Sequence, residues 1–254
     1  MPTDVVSFGE TMLRLTVPQG SRLEDASALQ VFVGGSESNT LSGLARLGLK
    51  VSWLSALPAT PPGRRVETEL RRHGVDTSRV VWDNNNARLG IFYVEESANP
   101  LGLQLYYDRA RSACALIDPE AVAYTALDDA RLLHLTGITP ALGTSAREVF
   151  NRLLAHARNR QLPLSFDVNY RARLWSTGEA AASIEEACMQ ASILFCARAD
   201  ATELWGFTGT PEAILRQMSR RFTMGNEPKR LVLTLGNEGS AQLYGDEYIH
   251  EPAI

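Results

Sequence analysis

"SAREVFNRLLAHARNRQLPLSFDV", residues 145–168, contains the pattern that decides the fold. Ala146, Val149, Phe150, Leu153, Leu154 and Ala157 recur at helical spacing and make one apolar stripe. After Arg160 the period changes. Leu162 to Phe166 read as a buried strand that opens into Asp167. The same succession of helix, turn and strand recurs on either side. "SNTLSGLARLG" (38–48) leads to "KVSWLSAL" (50–57), and "RRVETELRRHG" (64–74) leads to "SRVVW" (78–82). "TPEAILRQMSRRF" (210–222), with Thr210 as N-cap and Pro211 at the first helical position, leads to "RLVLTLG" (230–236). Alternation of this kind predicts crossover units and a mostly parallel central sheet with helices over both faces, an α/β fold.

Two stretches depart from that rhythm. Residues 11–33 and 88–109, with "RLGIFYVEES" and "LGLQLYYDR", carry the period-two pattern of strands. They predict a second, smaller sheet inserted into one domain spanning 1–254. Such a sheet has one face left to cover, by a ligand or by another copy of the protein.

Composition excludes several classes. Apolar residues are 44% and charged residues 21% of the 254, as in an ordinary globular protein. A formal charge of -4 offers no basic stripe for nucleic acid. Cys114, Cys188 and Cys196 have neither CxxC spacing nor an even count, so a disulfide framework or zinc site is not expected and a reduced, cytoplasmic setting is. No secretory leader is read at Met1 to Gly9, and no apolar run approaches a membrane span. His73, His134, His156 and His250 lack ligand spacing, and neither GxSxG nor HExxH occurs.

In open parallel sheets ligands sit beyond the carboxyl ends of the strands. Asp167, Asn169 and Arg171 leave such an end, though Asp167 could equally cap a turn with Arg171 and Arg173 in solvent. In "VFVGGSESN" (31–39), Gly34 and Gly35 permit close backbone approach, Ser36 can cap the following helix, and Asn39 lies in its first turn; a tight turn with an ordinary cap reads the same way. In "LQLYYDRARSA" (103–113), strand alternation puts Leu103, Leu105, Tyr107 and Arg109 on one face, a fork suited to a carboxylate, unless Arg109 pairs with an acid at the sheet rim. "LVLTLGNEGS" (231–240) sets Gly236 and Gly239 after a strand, leaving room for a ribose or forming a hairpin turn. Asp200 and Glu203 follow another strand end, where acids are usually solvated.

Together "FGETMLRL", "VGGSESNTLSGLARLG", "YYDRARSA", "LLHLTGITPAL", "SFDVNYRARLW" and "VLTLGNEGS" resemble the ribokinase-like (PfkB) carbohydrate kinases, and among them the 2-keto-3-deoxygluconate kinases. The resemblance implies a ribokinase-like α/β fold with a small β-sheet lid. It also implies transfer of the γ-phosphoryl of ATP, with Mg2+, to the terminal hydroxyl of a sugar acid, and homodimers formed through the lid. It places Gly34, Gly35, Asn39, Tyr107, Arg109, Ile138 and Arg171 against the sugar acid. Asn169 and Arg171 would lie between sugar and phosphate, and Thr234, Gly236 and Gly239 would border the nucleotide.

Departures accompany it. The family's Asn-x-x-Glu near magnesium reads Ala197-Arg198-Ala199-Asp200, leaving Asp200 to act through water, and Pro58 replaces a usual glycine. No Gly-Ala-Gly-Asp run occurs, so the catalytic base is unassigned. The expectation from this is a chain lacking about the last fifth of a relative, with an uncovered apolar edge and face and negligible phosphoryl transfer by itself. The alternatives are a catalytically dead sugar-acid binding or regulatory protein, and a kinase of a neutral sugar such as fructose.

Overall fold

The computed structural model describes residues 2–85, 87–96, 102–223 and 228–253. Strand β1 (Thr3–Phe8) is followed by β2 (Met12–Thr16), β3 (Gln30–Gly34), helix α1 (Ser36–Arg46), β4 (Val51–Leu54), β5 (Ala56–Pro58), α2 (Pro61–Arg72) and β6 (Val81–Asp83). Next come β7 (Ile91–Glu96), β8 (Leu103–Asp108), β9 (Ala130–Thr136), α3 (Thr144–Asn159) and β10 (Leu164–Asp167). The chain continues through α4 (Thr177–Gln190), β11 (Ile193–Ala197), α5 (Arg198–Trp205), α6 (Pro211–Phe222), β12 (Arg230–Thr234), β13 (Ser240–Tyr244) and β14 (Glu247–Glu251). Part of the predicted 88–109 segment, residues 97–101, lies outside the described residues.

Eight strands form the central sheet in the order β14-β13-β12-β11-β10-β9-β1-β4, parallel from β12 to β4 and antiparallel at β13 and β14. The α3 stripe read from the sequence is wholly buried. Phe150 and Leu153 pack there with Leu133, Leu135, Phe166, Leu194 and Leu233, joined by Leu215 and Met218 of α6. The Phe150 and Phe166 rings lie 6.1 Å apart. Side chains of this size stabilise the fold by ~1.5–3 kcal/mol each when fully buried.

The second face is covered only in part, which departs from the two-sided covering read from the alternation and agrees with the uncovered face also expected. Over β1 and β4 it is covered, with Val5, Val51 and Trp53 packed on Leu41 of α1 and Val66 of α2. Over β9 to β12 it is a groove of about 550 Å³ lined by His134, Ser165, Ile193 and Phe195 among others. Handedness explains the asymmetry. The chain steps in one direction from β9 to β12, and right-handed crossovers made in one direction put α3, α4 and α6 on a single side. Polar groups on this second face are bonded. Ser7 Oγ donates to the His134 carbonyl at 2.6 Å, and His134 Nδ1 is hydrogen-bonded to Ser165 Oγ at 3.0 Å. Burial pushes His134 down to about 4, so its ring is neutral.

The small sheet has the order β3-β2-β7-β8. Leu13, Leu15, Val31, Val33 and Ile91 face the α1 and α2 cluster. The alternate residues Phe32, Phe92, Leu105 and Tyr107 point the other way, with the Phe92 and Tyr107 rings stacked at 5.7 Å. β5 and β6 make a separate parallel pair.

Helix ends are fixed locally. A capping box of Ser176 and Glu179 opens α4, and Thr210 accepts from the Ala213 N–H at the start of α6 as its sequence predicts. The ends of α4 and α6 converge on Lys229, whose ammonium donates to the carbonyls of Cys188, Met189 and Phe222. Cys114, Cys188 and Cys196 are buried and unpaired. Among the described residues no helix is long and apolar enough to cross a membrane.

Candidate active site

The tips of β1, β9, β10 and β11, the start of α1 and the inner face of the small sheet meet around two adjoining hollows. The larger, of about 870 Å³, is lined by Leu105, Tyr107 and Arg109 from the small-sheet side and by Tyr170, Arg171, Asp200 and Glu203 from the strand tips. The smaller is the groove on the sheet face, and Asp167, Asn169, Asp200 and Thr234 stand at its mouth. Arg171 lines both.

Several predicted residues are held with little freedom. Asn169 has φ 41°, a left-handed conformation that Asn tolerates better than most side chains. Its Nδ2 donates to Ser36 Oγ at 2.8 Å and to Asp167 Oδ2 at 3.1 Å, tying the tip of β10 to the first residue of α1. Ser36 is therefore not the helix cap that the sequence suggested. The N-cap is Gly35, with extended backbone and no side-chain bond. Glycine is required there by close approach. A Cβ on Gly35 would meet the Glu10 carbonyl and come within 2.8 Å of Ser38 Oγ and Thr11 Oγ1. Gly34 ends β3 beside the Phe92 ring, so the pair of glycines lies under the small sheet.

Other predicted residues fall at the margin. Asn39 is exposed on α1, and Ile138 is half-buried with its N–H on Thr136 Oγ1; neither lines the two hollows. Gly236 has open space where a Cβ would be. At Gly239 the close approach is made by the chain itself: a Cβ would meet the Glu251 carbonyl and reach 2.6 Å from Ala253 N. β12 and β13 thus form the hairpin that the sequence allowed, with Gly239 required by the chain's own packing.

The largest correction concerns the two arginines. Both line the larger hollow, but Arg109 is already paired: its Nε donates to Glu10 Oε2 at 2.8 Å and its Nη2 touches the same oxygen. Of the two alternatives the sequence left open, an acid partner is the one found. Arg171, by contrast, has no ion-pair partner within 4.0 Å among the described residues. It is exposed, as is Arg173, which lines the larger hollow too and, among the described residues, is bonded only to the Leu105 carbonyl, at 2.6 Å.

Carboxyls crowd beneath it. Asp167 is pushed up to about 6, first by burial, then by Asp200 and Glu37, against the opposing pull of Arg171 and Asn169. Asp200, at the third position of α5, is also raised by burial, although its Oδ2 accepts the Tyr170 N–H at 3.0 Å and Arg171 pulls the other way. Glu37 was not singled out from the sequence. It is 1% exposed, and its Oε1 accepts from Thr136 Oγ1 at 2.7 Å and Thr139 Oγ1 at 2.6 Å. Burial raises it, with the two threonines opposing. Its companion signal was Gly9: a Cβ there would collide with the Glu37 carboxyl.

Comparison with known proteins gives this arrangement a context. The family model described as pfkB family carbohydrate kinase matches residues 2–254. A 2-dehydro-3-deoxygalactonokinase from Haloferax volcanii is 35% identical over the whole chain, which spans 78% of that protein. A 2-dehydro-3-deoxygluconokinase from Bacillus subtilis is 31% identical over 175 residues, 69% of this chain and 54% of the relative. The crystal structure of a 2-dehydro-3-deoxygluconokinase from Thermotoga maritima superposes with a TM-score of 0.89 at 29% identity, covering 98% of this chain and 78% of that one. Fold, sequence and the composition of the strand-tip cleft agree, and the chain belongs to the pfkB family of carbohydrate kinases.

Proposed function

We propose that the substrate is a 2-keto-3-deoxy sugar acid of gluco or galacto configuration, phosphorylated by ATP at its terminal hydroxyl. The observation that carries this reading is Arg171, uncompensated by any carboxylate in ion-pair range among the described residues and shared by the two hollows. The sugar acid occupies the larger hollow, its carboxylate toward the arginines and its ring against Tyr107. The nucleotide lies across Thr234 and Gly236, so that Asn169 and Arg171 stand between the two ligands. A buried carboxylate needs a compensating cation, and a neutral sugar gives Arg171 nothing to balance.

Phosphoryl transfer depends on positioning and on holding spread negative charge. Asn169, with both amide N–H groups taken by Ser36 and Asp167, fixes the tip of β10 beside the cleft, and Arg171 supplies the charge. Magnesium takes most of its ligands from phosphates and water, so one or two protein carboxylates suffice. Asp200 fits that role, with Oδ1 left over from its bond to Tyr170. The ion would neutralise phosphate charge there. No residue is assigned as the base. Phe32 and Leu103, exposed by 48% and 59% on the same side of the small sheet as Tyr107, are where a second copy would dock to form a homodimer, at the rim of the larger hollow. The three free cysteines suit a cytoplasmic protein.

The test is calorimetric titration of the chain with 2-keto-3-deoxygluconate and with fructose. The sugar acid should bind and fructose should not. Arg171→Ala should weaken the acid by about 2–5 kcal/mol. Equal affinity for both sugars, or an Arg171→Ala variant that binds the acid as the parent does, would refute the assignment.

A further inference from the structure

Glu10 lies in the turn between β1 and β2, where the central sheet hands over to the small one, and Arg109 follows β8 at the other end of the small sheet. The pair is deeply buried, with 2% of the Glu10 side chain and 11% of the Arg109 side chain exposed. All of the contact is made through one oxygen. Oε2 takes both Nε and Nη2 of Arg109, while Oε1, also buried, has no hydrogen-bond partner among the described residues. Oε1 lies against Gly90, where a Cβ would come within 3.0 Å of it. The guanidinium is held over the Tyr107 ring at 5.8 Å, and one edge of it is used up. Nη1 has no partner among the described residues and is the end left for a ligand in the larger hollow.

We propose that Glu10 is a positioning residue for substrate specificity: it fixes the Nε and Nη2 edge of Arg109 so that only the Nη1 end meets the sugar acid's carboxylate. This rests on the sugar-acid reading given above. A second consequence concerns charge. Glu10 balances the charge of Arg109, whereas Arg171 and Arg173, at the same hollow, have no carboxylate within 4.0 Å among the described residues. Arg109 contributes direction and Arg171 contributes charge. An arginine free to rotate would contribute both less selectively, since its guanidinium offers two edges, Nε with Nη2 and Nη1 with Nη2, on which an anion can sit.

Two conservative variants separate positioning from simple neutralisation. Glu10→Gln keeps the reach of the side chain and one oxygen acceptor but loses the charge, and its amide nitrogen would take the place of Oε1, which has no bond to lose. Glu10→Asp keeps the charge but is one methylene shorter, which draws the guanidinium back from the cleft. Titration with 2-keto-3-deoxygluconate should show Glu10→Gln within about threefold of the parent and Glu10→Asp weakened by about tenfold or more. The reverse order, with Asp binding better than Gln, means that Glu10 serves only as a counter-charge and overturns the proposal. Thermal melting establishes that each variant is folded. Should either fail to fold, the Arg109→Leu background decides: adding Glu10→Leu there should change the dissociation constant by less than about twofold, whereas a further tenfold loss would show Glu10 acting on the ligand independently and overturn the inference. If the parent chain binds no sugar acid at all, the functional reading fails first and takes this one with it. Binding by the parent with the wrong order of variants sinks this inference alone.

Discussion

In the central sheet Leu133, Phe166, Leu194 and Leu233 are fully buried, whereas in the small sheet Phe32, Leu103, Tyr106 and Tyr107 stay substantially open to solvent. The first sheet holds Asn169, Asp200 and Thr234 at its strand tips by packing from behind. The second holds Tyr107 and Arg109 by cross-strand pairing and one buried ion pair. Stability and recognition are thus divided by face: the sides packed on helices are rigid because they are covered, and the groove over β9 to β12 and the Tyr107 side of the small sheet can meet a ligand because they are not.

The sharpest way to break this contrast is to open the covered layer. Phe166→Ala removes a ring packed on Phe150 and should destabilise the fold by about 3–5 kcal/mol in urea unfolding; a loss under about 1 kcal/mol would mean that the α3 face is not the principal core. Next in size is a pH effect at the strand tips. Asp167 titrates at about 6 in the folded chain against 3.8 as a free side chain, so the folded state holds the proton longer than the unfolded one. Stability should therefore fall as pH rises through that interval, by on the order of 1–3 kcal/mol relative to Asp167→Asn. Parallel stability curves for the two proteins would remove the crowded-carboxyl picture. Asn169→Ala, which puts an alanine at φ 41° and frees Ser36, should cost about 1–2 kcal/mol, and an unchanged melting temperature would contradict the tie between β10 and α1. Smallest of all, Leu103→Ala on the open sheet should change stability by less than about 0.5 kcal/mol. A loss comparable to that of Phe166→Ala at concentrations where the protein is monomeric would show that the small sheet is covered within a single chain.

What the sequence disclosed follows the same division. Periodicity reports burial, so the α3 stripe, the apolar strands and the two-sheet plan could be read directly, and with them the strand-end positions of Asn169, Arg171 and Asp200. Long-range polar pairing has no periodicity. Glu10 and Arg109 are 99 residues apart, and nothing local distinguishes an arginine awaiting a carboxylate from one that already has it. Glu37 carries no local signal, since acids in a first helical turn are usually solvated; only the threonines of β9 and the turn after it, brought over by the fold, show it to be interior. The two-sided covering of the sheet failed for a topological reason, since alternation predicts crossovers but not the direction in which they step.

Lys229, clasped by three main-chain oxygens where two helices finish, is one of only two lysines in the sequence; Lys50 is the other, and it is exposed. An acylating reagent added to the native protein therefore meets a nearly blank surface of arginines, which it does not modify. Label appearing at Lys229 would time the opening of the whole domain, with Lys50 as the internal clock for reagent strength.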